Sequence, residues 1–132
     1  MSSFPRRPTP SYSPNYQYQI RHCGSQEIKV RDGEEEIWAD GIRAEDGFLL
    51  EAKFIEQPDR SPFVEGSKIP DFMRERILVR VEDEFLRYAA VINDPKTPVI
   101  GLEVITNEPR SVPCFENLLI RFSISGQVVV KT

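Results

Sequence analysis

Eight consecutive residues, Phe48-Leu49-Leu50-Glu51-Ala52-Lys53-Phe54-Ile55, read as a β-strand in which two charged side chains interrupt an apolar run. Side chains alternate faces along a strand, so Phe48, Leu50, Ala52 and Phe54 share one face and Leu49, Glu51, Lys53 and Ile55 share the other. Such a strand buries the first set and offers Glu51 and Lys53 together on the opposite side. The preceding residues supply its partner: Glu36-Ile37-Trp38-Ala39-Asp40 reads as a strand ending at Gly41, and Ala44-Glu45-Asp46-Gly47 has the Asp-Gly close of a hairpin connection. An Asp32-Gly33 turn comes before it. The hairpin therefore carries an acid, Asp40, toward a Glu-x-Lys.

Around the hairpin the pattern predicts further elements. Asp71 stands at an N-cap position, and Ile77, Val81, Phe85, Tyr88 and Ile92 then recur at three- and four-residue spacing, predicting a helix to about Asn93, where Asn93-Asp94-Pro95 ends it. Its other positions interleave Arg74, Arg76, Arg80 and Arg87 with Glu75, Glu82 and Glu84. Val99 to Ile105 is an alternating, β-branched strand, Ser111 to Ile120 a short helix with Pro113 in its first turn, and Val128 to Val130 a final strand after Gly126. Between Asn15 and Val30 the expected buried positions are Tyr16, Ile20, Ile28 and Val30, with a short helix over Tyr16 to Arg21. Gln57 to Pro70 reads as a mobile loop, and residues 1–14, rich in Pro and Ser, as a flexible arm or linker ahead of a single domain over 15–132. This order predicts an α/β (α+β) fold with a mixed central sheet flanked by helices.

The formal charge of -4 is unevenly distributed. Residues 1–31 sum to +4, 32–56 to -7 and 57–132 to -1. Acidity concentrated in this way is either a solvated face or a set of carboxylates that want a cation. No apolar run approaches the ~20 residues of a membrane-spanning helix, and no cationic start followed by an apolar core marks a signal peptide. Cys23 and Cys114 form no zinc spacing or disulfide framework and read as partly buried thiols; His22, the one histidine, reads as a surface or capping residue.

Phosphodiester hydrolysis needs a divalent cation that neutralises charge on the scissile phosphate and activates a water. Magnesium is satisfied by one or two carboxylates plus water and substrate oxygens. Asp40 and Glu51 can converge on one such ion, with the Ala52 carbonyl as a third oxygen, and Lys53 can orient the water and stabilise the developing anion. Glu36, four residues before Asp40 and on its face, is the candidate further ligand. On an exposed sheet the same Glu51 and Lys53 would be only a charge pair worth at most ~1 kcal/mol. Arg80 and Arg87, seven apart and nearly on one helix face, can grip phosphates or pair with Glu84 and Glu75.

Asp40 with Glu51-Ala52-Lys53 resembles the PD-(D/E)xK motif of the restriction-endonuclease fold, with Ala39 in place of the proline. Together with Tyr16-Gln17-Tyr18-Gln19-Ile20 and Glu36-Ile37-Trp38-Ala39-Asp40-Gly41, it resembles the restriction-endonuclease-fold toxin domains at the C-termini of bacterial polymorphic toxins. The resemblance implies a restriction-endonuclease-like fold and a magnesium- or manganese-dependent endonuclease used in interbacterial competition. It implies nucleic acid as substrate, DNA more than RNA, and a cognate immunity protein. It also implies action in the cytoplasm of a target bacterial cell after delivery within a larger secreted effector. It calls for an upstream acid, for which Glu36 is favoured over Glu27, and suggests that Gln17 and Gln19 reach the site from a preceding helix, Gln19 as a substrate-binding residue. Two other functions stay open: a non-catalytic interaction, immunity or adaptor module docking through its acidic hairpin, and a repair or restriction nuclease of the same fold.

Overall fold

The computed structural model describes residues 4–32 and 34–132. The expected turn at Asp32-Gly33 lies partly outside them; on its described side the Asp32 carboxylate accepts the Glu35 N–H at 3.2 Å.

Helix α1, Pro14–Cys23, is longer than Tyr16 to Arg21 because Ser13 caps it, its hydroxyl accepting the Tyr16 N–H. Strand β2 (Gln26–Asp32) pairs antiparallel with β3 (Glu35–Ala39), Ile28 opposite Ala39. β4 (Gly41–Arg43) pairs antiparallel with β5 (Phe48–Lys53), Gly41 opposite Leu50. Its turn closes on Gly47 at φ +76, a conformation suited to glycine. β6 (Gly101–Thr106) and β7 (Gly126–Val130) extend the sheet in parallel, in the order β4-β5-β6-β7. The chain passes from β3 to β4 through Asp40 alone, so the two sheets are joined at that residue. This mixed α+β arrangement is the one expected, but the hairpin partner of β5 is β4 and not the strand ending at Asp40, which pairs with β2 instead.

The long helix α2 spans Asp71–Ile92. Its Val81, Phe85, Tyr88, Ala89 and Ile92 pack against Ile28, Val30, Ile37, Ala39, Leu49, Leu102 and Val104, joined by Phe115, Leu118 and Leu119 of α3 (Val112–Arg121). α1 covers the other face, where Tyr18 packs on Leu50 and Ile105. Both faces of β5 are therefore buried, correcting the one-sided expectation: Leu49 is fully buried on the face that Glu51 and Lys53 share. β5 lies inside the sheet and pairs in parallel with β6, and parallel pairing goes with helices covering both faces. α1 approaches the sheet so closely that a Cβ on Gly41 would stand 2.2 Å from the Cys23 carbonyl oxygen.

Two segments expected to be loose are held. Arg6–Pro8 forms β1, an antiparallel edge strand on β2, and Thr9 is buried. Ladder bonds use backbone groups and do not require aliphatic side chains, so the Pro- and Ser-rich composition did not prevent pairing. In the segment 57–70, Val64 and Ile69 are buried, and the Arg74 guanidinium donates to the carbonyls of Pro62, Val64 and Ser67. No described helix is long and apolar enough to cross a membrane.

Candidate active site at the strand junction

Asp40 owes its position to the break between β3 and β4. Its N–H donates to the Leu50 carbonyl at 3.0 Å, and its Oδ2 accepts the Ala52 N–H at 2.7 Å. Extending the two ladders by one step sets Glu27 opposite it on one side and Glu51 on the other. Burial pushes the Asp40 carboxyl up to about 7; the Ala52 N–H and Lys53 oppose the rise, while Glu84 and Glu27 add to it.

Glu51 is buried, and both of its oxygens are engaged. The Tyr88 hydroxyl donates to Oε1 at 2.5 Å, and the Lys53 ammonium lies 3.0 Å from Oε2. Burial raises its pKa well above the carboxylate range, reinforced by the charges of Asp40 and Glu84. Lys53 also reaches Glu84 Oε1 at 2.7 Å. Burial would lower its pKa, but the two carboxylates outweigh that and hold it above the usual lysine value. The Tyr88 phenol is raised by burial and then by Glu51.

On the other side of the junction, Glu27 is buried between two donors. Gln19 Nε2 of α1 donates to its Oε2 at 2.9 Å, and Arg7 Nε of β1 to its Oε1 at 2.6 Å. Gln19 is thereby bound to Glu27, while Gln17 donates to the Ser11 carbonyl at 3.3 Å. Ser13, Asn15, Tyr16, Gln19, Ala52, Lys53, Phe54 and Phe63 line a cleft of about 320 Å³ that opens onto Lys53.

Other expected residues are placed elsewhere. Glu36 stands four residues up the strand from Asp40, roughly 13 Å away. Its half-exposed carboxylate pairs with Arg31 and, at 3.3 Å, with Lys29, and the Arg31 contact holds its pKa low. The expectation that Glu36 supplies a further metal ligand is therefore corrected: the acid beside Asp40 is Glu27. Arg80 is solvent-exposed one turn before Glu84, and Arg87 pairs with Asp83 at 3.0 Å instead of Glu84.

Among the described residues no group of three His, Cys, Asp or Glu side chains is arranged to hold a metal. Asp40 and Glu51 do fit a hard cation that takes two carboxylates and completes its shell with water and substrate oxygens. The Asp40 charge raises the proton affinity of buried Glu51, and a divalent ion would relieve that repulsion.

The sequence presents Tyr88 as a core position and Glu84 as a partner for arginine, not as neighbours of Glu51 and Lys53. Tyr88 is legible as core, and Glu84 stands one turn before it, a charge beside buried Val81 and Phe85. That position is the signal a sequence could have offered.

A sheet bent at an Asp, with Glu-x-Lys on the neighbouring central strand and helices on both faces, defines a restriction-endonuclease-like nuclease fold. A family model described as restriction endonuclease fold toxin 2 matches residues 14–125, and the chain belongs to that family of nuclease-type toxins. No match was found among curated proteins or among solved structures.

Proposed function

We propose that the chain is a divalent-cation-dependent endonuclease, acting on DNA in preference to RNA, and the toxic part of an effector used between competing bacteria. The observation that carries this is the convergence of Asp40, Glu51 and Lys53 at one strand junction beside an open cleft, in a chain whose family is one of toxins.

In this function Asp40 and Glu51 hold magnesium or manganese, with the Ala52 carbonyl available as a further oxygen. Bound there, the cation supplies charge neutralisation at the scissile phosphate and lowers the pKa of the attacking water. Lys53, kept charged by its carboxylate neighbours, orients that water and stabilises the oxyanion that develops. Tyr88 and the Ala52 N–H fix the two carboxylates before substrate arrives. Glu27, steadied by Gln19, is the upstream acid. Arg80, exposed on the same helix as Glu84, is free to meet phosphate; Arg87, already bound to Asp83, is the weaker candidate for that role. A toxin of this kind requires a cognate immunity protein in its producer and works in the cytoplasm of the recipient cell.

Plasmid DNA and an RNA transcript incubated with the protein, with magnesium and with chelator, test this directly. Cleavage of the plasmid only in magnesium, lost in Lys53→Ala, is the expected result. Full magnesium-dependent activity in Lys53→Ala would overturn the mechanism, and growth of cells expressing the protein without an immunity partner would overturn the toxin assignment.

A further inference from the structure

Lys53 is shared between two carboxylates of different standing. Glu51 sits beside it on β5 and is the acid expected to bind a cation; Glu84 comes from α2, outside the Glu-x-Lys pair. Glu84 has nearer cations by sequence, since Arg80 and Arg87 stand one turn away on its own helix. It nevertheless reaches across to Lys53 at 2.7 Å, a shorter contact than the 3.0 Å from Lys53 to Glu51, and Arg87 pairs with Asp83. Glu51 in turn has a second support, because the Tyr88 hydroxyl holds Oε1 and leaves Oε2 as the oxygen it shares with Lys53. Lys53 can leave Oε2 without freeing Glu51, and Glu51 can turn Oε2 to another cation without freeing Lys53.

We propose that Glu84 is a positioning residue that holds the Lys53 ammonium in place when Glu51 gives its Oε2 to the divalent cation. Without Glu84, the carboxylate that anchors Lys53 would be the same oxygen needed for the metal, so lysine and metal would compete for it. With Glu84, the two functions of the Glu-x-Lys pair are held apart: Tyr88 orients Glu51, and Glu84 orients Lys53. The inference rests on the nuclease function proposed above.

The test uses the whole chain and the variants Glu84→Gln, Glu84→Asp, Lys53→Met and the double variant Glu84→Gln with Lys53→Met. At saturating manganese, Glu84→Gln should cut plasmid with kcat lowered roughly tenfold to a hundredfold and KM unchanged. Glu84→Asp keeps the charge but shortens the reach, and should behave like Glu84→Gln. The double variant should be no slower than Lys53→Met alone, because Glu84 acts through the lysine. A readout independent of cutting is the Lys53 ammonium resonance in ¹⁵N-lysine-labelled protein, assigned by its loss in Lys53→Met. In magnesium it should persist in the wild type and vanish in Glu84→Gln by fast exchange with water, while thermal unfolding shows both folded. Wild-type rates in Glu84→Asp, losses that multiply in the double variant, or a persistent resonance in Glu84→Gln would each overturn the proposal. Failure of the wild type to bind manganese or to cut would instead sink the nuclease function, and the metal-free resonance would still report whether Glu84 holds Lys53.

Discussion

Replacing Asp40 by Asn should abolish cutting and yet stabilise the metal-free protein. The Asp40 carboxyl is raised from an ordinary 3.8 to about 7, with burial the main cause. A raised acid pKa means that the folded state binds the proton more tightly than the unfolded chain does. Folding is therefore unpenalised below pH ~4, and stability is lost as pH rises from the unfolded value toward the folded one. A difference of about three units at about 1.4 kcal/mol each sets a ceiling near 4 kcal/mol at neutral pH. Residual solvent access and the coupling to Glu51 reduce this to roughly 2–3 kcal/mol. Asn keeps the oxygen that accepts the Ala52 N–H and removes the charge. For a chain of this size 1 kcal/mol moves Tm by about 3–4 °C, so Asp40→Asn should melt roughly 6–12 °C above wild type at pH 7 in chelator.

Thermal unfolding of both proteins from pH 4 to 7.5, in chelator and in magnesium, measures this. The difference in Tm should be near zero at pH 4 and grow through pH 7, which cancels the titration of acids common to both. Magnesium should raise the wild-type Tm and leave the variant unmoved, since ligand that binds only the native state stabilises by mass action. Equal melting at pH 7 in chelator, or a gap already present at pH 4, would refute the account of Asp40 as a buried carboxylate poised for a cation.

Three further substitutions probe the surroundings. Glu27→Gln should lower plasmid cleavage at least tenfold, whereas Glu36→Gln, which removes only a surface partner of Lys29 and Arg31, should cut like wild type; equal losses in the two would refute the assignment of Glu27. Gly41→Ala places a methyl against the Cys23 carbonyl and should cost about 2–3 kcal/mol in urea unfolding, with less than 0.5 kcal/mol arguing that α1 can retreat without loss. Tyr88→Phe leaves Glu51 Oε1 buried without its donor and should cost about 1–3 kcal/mol by the same assay, an effect absent if solvent replaces the phenol.

What could be read from the sequence divides along a physical line. That Asp40, Glu51 and Lys53 meet is legible because the tight β4–β5 hairpin fixes register, and register fixes which side chains meet. The α2 core was legible from its 3.6-residue period, which demands only that one face be buried. Glu27 is harder to read from sequence than Glu36 because it falls in β2, where Ile28 and Val30 point to the core and Glu27, Lys29 and Arg31 alternate with them on the opposite face. Once β2 pairs with β3, strand register places Glu27 beside Asp40 and carries Glu36 away from it.

Glu84 was hidden for a different reason. Helical spacing offered it arginines, and local pairs are what a sequence displays, but such exposed pairs are worth only a few tenths of a kcal/mol. A lysine drawn into the interior needs far more, because an unpaired buried charge is among the costliest features a fold can carry. The long-range demand of Lys53 therefore outweighs the local attraction of Arg80 and Arg87, and it is set by how deeply β5 is covered on the α2 side. That depth exists because β5 lies between antiparallel β4 and parallel β6, a fact of topology that no single segment contains. The bend at Asp40 completes the logic. By ending β3 and starting β4 at one residue, the chain leaves the Ala52 N–H to a side chain, and the acid that accepts it is brought toward Glu51.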